Sequence, residues 1–331
     1  MSNRNEIDQI NESKIKKMIQ YYPECVNAYN IYLKKDKTSN TRYCYVSYVC
    51  SFLDYIEREY GIDIYTMNDY SKIKPLFIDS YMDYISYKDV NGKKIKCSDS
   101  IKNVKLASVN KFFMFLLENK YIQENPCLNK KFKMHKDVKE VTYMTPKEIK
   151  KVEKSIVNRK NNKKFINRDL AILMLGCGTG LRVSAIIGIN IGDLDLDNLT
   201  INNIVEKGEN TKSILIPEKV ADIIKKWIND RNDILKDDKE KTEALFINPS
   251  HKRISVGGVR KMTKQYSQII GKNITPHKMR STYGMNLYDK TGDIYLVQEM
   301  LGHANISNTM IYARASEERK KNATNVINSI I

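Results

Sequence analysis

Apolar residues recur along this chain with a helical period over most of its length. In residues 12–35, Ile15, Met18, Ile19 and Tyr22 fall on one stripe and predict a helix. Thr38-Ser39-Asn40-Thr41 supplies N-cap candidates for the next. Behind it Tyr45, Tyr48, Val49, Phe52, Leu53 and Ile56 repeat at helical steps until Gly61. A third helix is predicted over about 72–87, from Ile73, Leu76, Phe77, Tyr81 and Ile85, and a fourth over about 99–119, from Val104, Leu106, Val109, Phe112, Phe113, Leu116 and Leu117. Between these two lies a basic loop around Asn91-Gly92, with Lys88, Lys93, Lys94 and Lys96. Asn125-Pro126 closes the helical run, because the residue before a proline resists helical geometry.

The period then disappears. Residues 127–142 crowd Lys130, Lys131, Lys133, Lys136 and Lys139 together and read as a basic linker. A second region opens at Thr145-Pro146-Lys147-Glu148, which has the residues of a helix start: an N-cap, proline at the first helical position and glutamate at the third. A helix over 165–176 follows, then Gly176, Gly178 and Gly180, then a short helix from Arg182. Thr200 to Val205 and Ser213 to Ile216 read as strands around a turn at Lys207-Gly208-Glu209-Asn210. Beyond residue 217 the pattern is again mostly helical, apart from the apolar run Leu245-Phe246-Ile247. The expected fold is mainly α with a small β-hairpin or sheet.

Composition narrows the partners. The 331 residues carry 56 Lys and Arg against 39 Asp and Glu, a net charge of +17, which suits a polyanion. Only 12 of those bases are Arg, and abundant Lys, Asn, Ile and Tyr fit an AT-rich genome, so part of the charge is compositional. The six cysteines form no CxxC pair and complete no zinc spacing with the four histidines, which predicts buried thiols in a reducing compartment. Met1 to Asn11 has no apolar signal core, and no stretch approaches the ~20 apolar residues of a spanning helix. A cytoplasmic, nucleoid-associated protein without membrane contact is expected.

Four short patterns in the second region fit one reaction: Thr179-Gly180-Leu181-Arg182, His277-Lys278-Met279-Arg280, Leu301-Gly302-His303 and Ile311-Tyr312. Attack of a side-chain hydroxyl on a phosphodiester builds negative charge on the non-bridging oxygens. Two guanidinium forks can neutralise it, each such preorganised donor being worth ~10²–10³ in rate. A tyrosine hydroxyl, with a free pKa of ~10, needs a base or a nearby positive charge, and the leaving oxygen needs an acid. His and Lys can fill those roles with no metal or cofactor.

Together these residues resemble the tyrosine recombinase, or phage integrase, family. Arg182 matches the arginine of its Thr-Gly-Leu-Arg turn, and Lys207 its hairpin lysine, with Lys212 as the competing hairpin position. His277 and Arg280 match its His-x-x-Arg helix, and His303 its Leu-Gly-His. Tyr312, nine residues later, matches its nucleophile. The resemblance covers about residues 15–315 and implies a helical core-binding domain over 12–126, a linker over 127–142 and a mixed α/β catalytic domain over 143–315. The 316–331 tail becomes a possible protomer-exchange helix. Two positions depart from the pattern. Ala185 stands where the family has an acidic residue, with Asp193 nearby as a possible substitute, and Ser281 stands where many members have a second histidine.

The implied activity is site-specific recombination through a covalent 3′-phosphotyrosyl intermediate and a Holliday junction. The implied partners are duplex DNA with a specific site, a homotetramer spanning two such sites, and accessory recombination factors. Lys93, Lys94, Lys96, Lys130, Lys131 and Lys133 are the expected DNA contacts. A type IB topoisomerase uses a similar catalytic set, and a recombinase-derived regulator without activity would share the helices. Integration or excision, dimer resolution and inversion are all compatible with the resemblance.

Overall fold

The computed structural model describes residues 3–90, 92–128, 141–205, 211–238, 242–316 and 324. The chain divides into two compact units, Met1–Val138 and Lys139–Ile331.

In the first unit the helices are α1 (Asn3–Ile19), α2 (Glu24–Leu33), α3 (Ser39–Tyr60), α4 (Pro75–Tyr84) and α5 (Asp99–Glu118). The expected single helix over 12–35 is two. Pro23 sits in extended geometry as the N-cap of α2 and has no N–H to continue α1, so the chain breaks there. The helix expected over 72–87 is also shorter. A 3₁₀ turn, Met67–Lys72, precedes it, and Pro75 fixes its first position. The basic loop is instead a hairpin, β1 (Tyr87–Val90) against antiparallel β2 (Lys93–Lys96).

α3 is the spine of this unit. Thr38 caps its start through the Thr41 amide, and Gly61 ends it in the left-handed conformation, φ 62°. Its buried face meets α5 and α4: Phe52 lies edge-on to Tyr81 at 5.1 Å and to Phe113 at 5.7 Å. On its opposite side α1 is held by polar groups. Asn11 Nδ2 donates to Ser39 Oγ (3.2 Å), and the buried Arg42 donates to Asn30 Oδ1 (2.8 Å) and to Glu12. A buried guanidinium is tolerable only with such acceptors around it.

The second unit is mostly helical and carries a small sheet. α6 (Pro146–Val157) begins with the expected capping box, Thr145 accepting from the Glu148 amide while Glu148 accepts from that of Thr145. α7 (Ile166–Thr179) runs on through Gly176 and Gly178, and α8 (Val183–Gly188) follows. β3 (Leu194–Asp195), β4 (Thr200–Val205) and β5 (Thr211–Leu215) form an antiparallel sheet in that order, one strand more than the hairpin expected. The Leu245-Phe246-Ile247 run is fully buried and flanked by single bridges, Asn190 to Ala244 and Ile247 to Arg253. The remaining helices are α9 (Glu218–Leu235), α10 (Val256–Ile270), α11 (Pro276–Thr291), α12 (Ile294–Leu301) and α13 (Met310–Ala315). Among the described residues no helix is long and apolar enough to cross a membrane.

Phe52 has no exposed surface and packs on two other rings, so truncation leaves a void that rigid neighbours cannot fill. Phe52→Ala is expected to destabilise the first unit by about 3–5 kcal/mol, read as a lowered denaturant midpoint at unchanged slope.

Candidate active site

The site grows from three helix ends. α7 stops at Gly180, whose backbone is left-handed, φ 66°. A Cβ there would lie 2.6 Å from Tyr283 Cδ1 and 2.8 Å from Leu301 Cδ2, so only glycine lets the turn wedge between α11 and α12. Two residues on, Arg182 is the extended N-cap of α8, and its carbonyl accepts from the amides of Ala185 (2.9 Å) and Ile186 (3.0 Å). The turn therefore fixes the Arg182 backbone while its side chain stays partly exposed.

α11 starts at Thr275-Pro276 and carries His277 and Arg280. Arg280 is only 3% exposed. Its Nη1 donates to Gly180 O at 2.7 Å and its Nη2 to Leu301 O. Those carbonyls belong to the C-terminal ends of α7 and α12, where helix dipoles favour a cation. α11 lies close to α7: a Cβ on Gly176 would be 2.9 Å from Met279 Cε. His277 keeps an exposed face. Its pKa is held below the usual imidazole value by partial burial, then by the charges of Arg280, Lys278 and Arg182. The charge of Arg182, from the turn after α7, thus reaches His277 on α11.

α12 ends at Gly302, left-handed at φ 59°. His303 follows, its amide donating to Gln298 O (3.0 Å) and its Nδ1 hydrogen-bonded to the buried Thr309 Oγ1 (2.9 Å). A 3₁₀ turn, Ile306–Asn308, leads into α13. There Tyr312, 3% exposed, packs with Met285, Val297 and Leu301. Burial raises its pKa, while the charge of Arg280 and the Ser281 hydroxyl act in the opposite direction. Arg280 thus ties α11 to the ends of α7 and α12, next to which Arg182 and His303 follow in the chain, and the Tyr312 ring packs against Gly284 of α11.

The other expected residues stand elsewhere. Lys207, Lys130, Lys131 and Lys133 lie outside the described residues, as does nearly all of the linker and of the 316–331 tail. Lys212, the competing hairpin lysine, is on β5 opposite Ile204 and half-buried. Lys94 and Lys96 are exposed on β2, with Lys93 on the same strand. Asp193 is occupied locally, one carboxylate oxygen accepting from the Asn190 amide (2.8 Å) and the other from Asn203 Nδ2 (3.1 Å). Ala185 is buried in the unit's core.

Sequence reasoning undervalued Ser281 and passed over Gly284 and Thr309. Ser281 and Gly284 had a legible signal: positions 277, 280, 281 and 284 follow one another at helical steps and share one face of α11. Thr309 had none, since its bond to His303 depends on the intervening turn.

Residues 143–319 match the sequence family described as "Phage integrase family", more than half of the chain. The chain belongs to that family. It is a tyrosine site-specific recombinase. Curated relatives agree along its length. It is 30% identical over 287 residues to the tyrosine recombinase XerC of Thermodesulfovibrio yellowstonii, covering 80% of this chain and 90% of that one. It is 28% identical over 319 residues to XerC of Leptospira interrogans serogroup Icterohaemorrhagiae serovar copenhageni, covering 94% and 89%. The fold of the recombinase is similar to that of the XerH site-specific recombinase bound to its difH substrate, with TM-score 0.63, 21% identity and coverage of 86% and 78%. It is also similar to the Tn1549 transposon integrase in complex with transposon right end DNA, with TM-score 0.64, 20% identity and coverage of 89% and 98%.

The lowered pKa of His277 means that the unfolded chain takes up this proton first as pH falls below 6.5, the ordinary imidazole value. The group therefore subtracts stability in acid and nothing at neutral pH. An NMR titration of the intact recombinase should place the His277 midpoint below 6.5, and His277→Gln should remove that part of the acid sensitivity.

Proposed function

We propose that Tyr312 is the nucleophile of the recombination reaction, with Arg182 and Arg280 holding the scissile phosphate and His277 and His303 managing protons around it. In the forward step the phenolic oxygen bonds to phosphorus and the bond from phosphorus to the 5′ oxygen breaks. The phenol's proton passes to a base of the site, and the departing oxygen takes one from Lys207. This leaves a 3′-phosphotyrosyl link and a free 5′-hydroxyl. The covalent link conserves the phosphodiester's energy, so attack by a partner strand's 5′-hydroxyl reverses the chemistry and rejoins DNA. Two such exchanges on a homotetramer bridging two sites pass through a Holliday junction.

The observation that carries this reading is the placement of the Tyr312 ring against Gly284 of α11, one turn beyond Arg280; burial raises the phenol's pKa there, and the charge of Arg280 opposes that rise. Arg280 is itself held rigidly by two carbonyls, which suits a donor that must meet developing charge without reorganising. The remaining assignments follow the same logic. Residues 12–126 form the core-binding domain, and Lys93, Lys94 and Lys96, with Lys130, Lys131 and Lys133 of the 127–142 linker, hold DNA phosphates. The 316–331 tail exchanges between protomers. Relatives support the partner: XerH was crystallised with its difH substrate and lambda integrase as a dimer bound to a core site.

A nicked suicide duplex, chosen from a random-sequence library by its binding to the full chain, tests the chemistry. Wild type should form a covalent protein–DNA adduct. Tyr312→Phe should form none while still binding the duplex, and Arg182→Ala or Arg280→Ala should slow adduct formation by roughly 10²–10³. An adduct that survives Tyr312→Phe refutes the assignment. Relaxation of arbitrary supercoiled plasmid at a comparable rate would instead indicate topoisomerase chemistry. Binding to the selected duplex should also weaken steeply with salt, log K falling by ~0.9 per phosphate neutralised for each unit of log salt concentration.

A further inference from the structure

We propose that Thr309 is a positioning residue for His303: its hydroxyl donates to His303 Nδ1, which stops the imidazole from turning over and keeps the ring's proton on Nε2. The inference rests on the reading of His303 as part of the recombination site and deepens it.

Thr309 stands at the N-cap of α13. A threonine there ordinarily turns its side-chain oxygen back to an amide of the first helical turn. Thr309 makes no such bond. Its Oγ1 lies 2.9 Å from His303 Nδ1 instead, reaching back across the 3₁₀ turn Ile306–Asn308. The cap has been given up for the imidazole. The backbone of His303 is already closed, its amide donating to Gln298 O and its carbonyl accepting from Gln298 Nε2, each at 3.0 Å. What Gln298 leaves undetermined is the rotation of the ring. A half-turn would exchange Nδ1 for a carbon, and the Thr309 bond would be lost.

The direction of that bond follows from burial. Thr309 has no exposed surface, and among the described residues His303 is the one partner of its hydroxyl. Were the ring's proton on Nδ1, Thr309 would accept it, and its own hydroxyl proton would be buried with nothing to bind. A buried donor left without an acceptor is costly and rare. With Thr309 as the donor, both groups are satisfied. Nδ1 is then the acceptor, and neutral His303 carries its proton on Nε2. That tautomer presents an N–H, the form suited to a phosphate oxygen. Thr309 also works through its backbone, its carbonyl accepting from the Tyr312 amide at 2.9 Å. One residue therefore holds the His303 ring by its side chain and the first turn of α13 by its main chain. On the chemistry it acts through His303.

Full-length Thr309→Val and Thr309→Ser test this, because valine keeps the shape without the hydroxyl and serine keeps the hydroxyl without the methyl. Histidine labelled with nitrogen-15, with His303 assigned by its loss in His303→Ala, reports the tautomer at a pH where the imidazole is neutral. The nicked suicide duplex reports chemistry. Wild type should show an unprotonated Nδ1 and a protonated Nε2. Thr309→Val should shift this signature toward the mixture of a free imidazole and slow adduct formation about ten-fold. Thr309→Ser should keep the wild-type signature and rate even where loss of the methyl lowers its melting temperature below that of Thr309→Val. In a His303→Ala background, Thr309→Val should cause no further slowing. The proposal is overturned if His303 carries its proton on Nδ1, if Thr309→Val forms adduct at the wild-type rate, if the rates follow melting temperature and not the hydroxyl, or if Thr309→Val slows the His303→Ala enzyme as much as it slows wild type. If adduct formation is indifferent to His303→Ala itself, the reading of the site has failed and the role of Thr309 falls with it. An adduct slowed by His303→Ala but indifferent to Thr309→Val sinks Thr309 alone.

Discussion

The guanidinium of Arg280 carries a full positive charge, yet the residue is 3% exposed. Burying an unpaired charge is among the most unfavourable things a fold can do. Here the charge is met by the carbonyls of Gly180 and Leu301, at the C-terminal ends of α7 and α12. Two helix dipoles therefore point their negative ends at one cation. The arrangement locks three helices to one another, because moving any of them strands either a charge or a carbonyl. The candidate site is assembled on this clasp.

Its consequences spread along the chain. α7 must end sharply at the clasp, and only glycine at 180 permits both the left-handed turn and the approach of Tyr283 and Leu301. That turn delivers Arg182 at the start of α8. α12 must end there too, and Gly302 turns the chain so that His303 is pinned by Gln298 and Thr309. The distance from that histidine to Tyr312 is bridged by one 3₁₀ turn and the first residues of α13. A spacing of nine residues is thus the length of a particular path, from a helix C-cap to a buried ring.

Two buried arginines, Arg42 in the first unit and Arg280 in the second, meet the problem of buried charge in different ways. In one, the terminal nitrogens of Arg42 meet the side chains of Asn30 and Glu12, which fastens α1 to a core otherwise built from interlocking rings, while its Nε is left unpaired. In the other, Arg280 is met by backbone, which cannot be lost by mutation of the acceptor's side chain. The first device serves stability. The second also holds a cation in a fixed orientation where α7, α11 and α12 meet.

Much of this was legible in the sequence. Helical periods placed α3, α5 and α6, and the order and spacing of Arg182, His277, Arg280, His303 and Tyr312 marked the site, because periodicity and capping are local rules that a linear string records. The same string misjudged what tertiary packing decides. Pro23 splits a continuous apolar stripe into α1 and α2, and the basic loop near Gly92 pairs into a hairpin. Asp193, a plausible acid on paper, is consumed by its own turn. Sequence alone nominated the groups of the site. The tertiary structure decided which of them touch, because the Arg280 clasp and the packing of Tyr312 on Gly284 join residues far apart in the chain through contacts that no local pattern encodes.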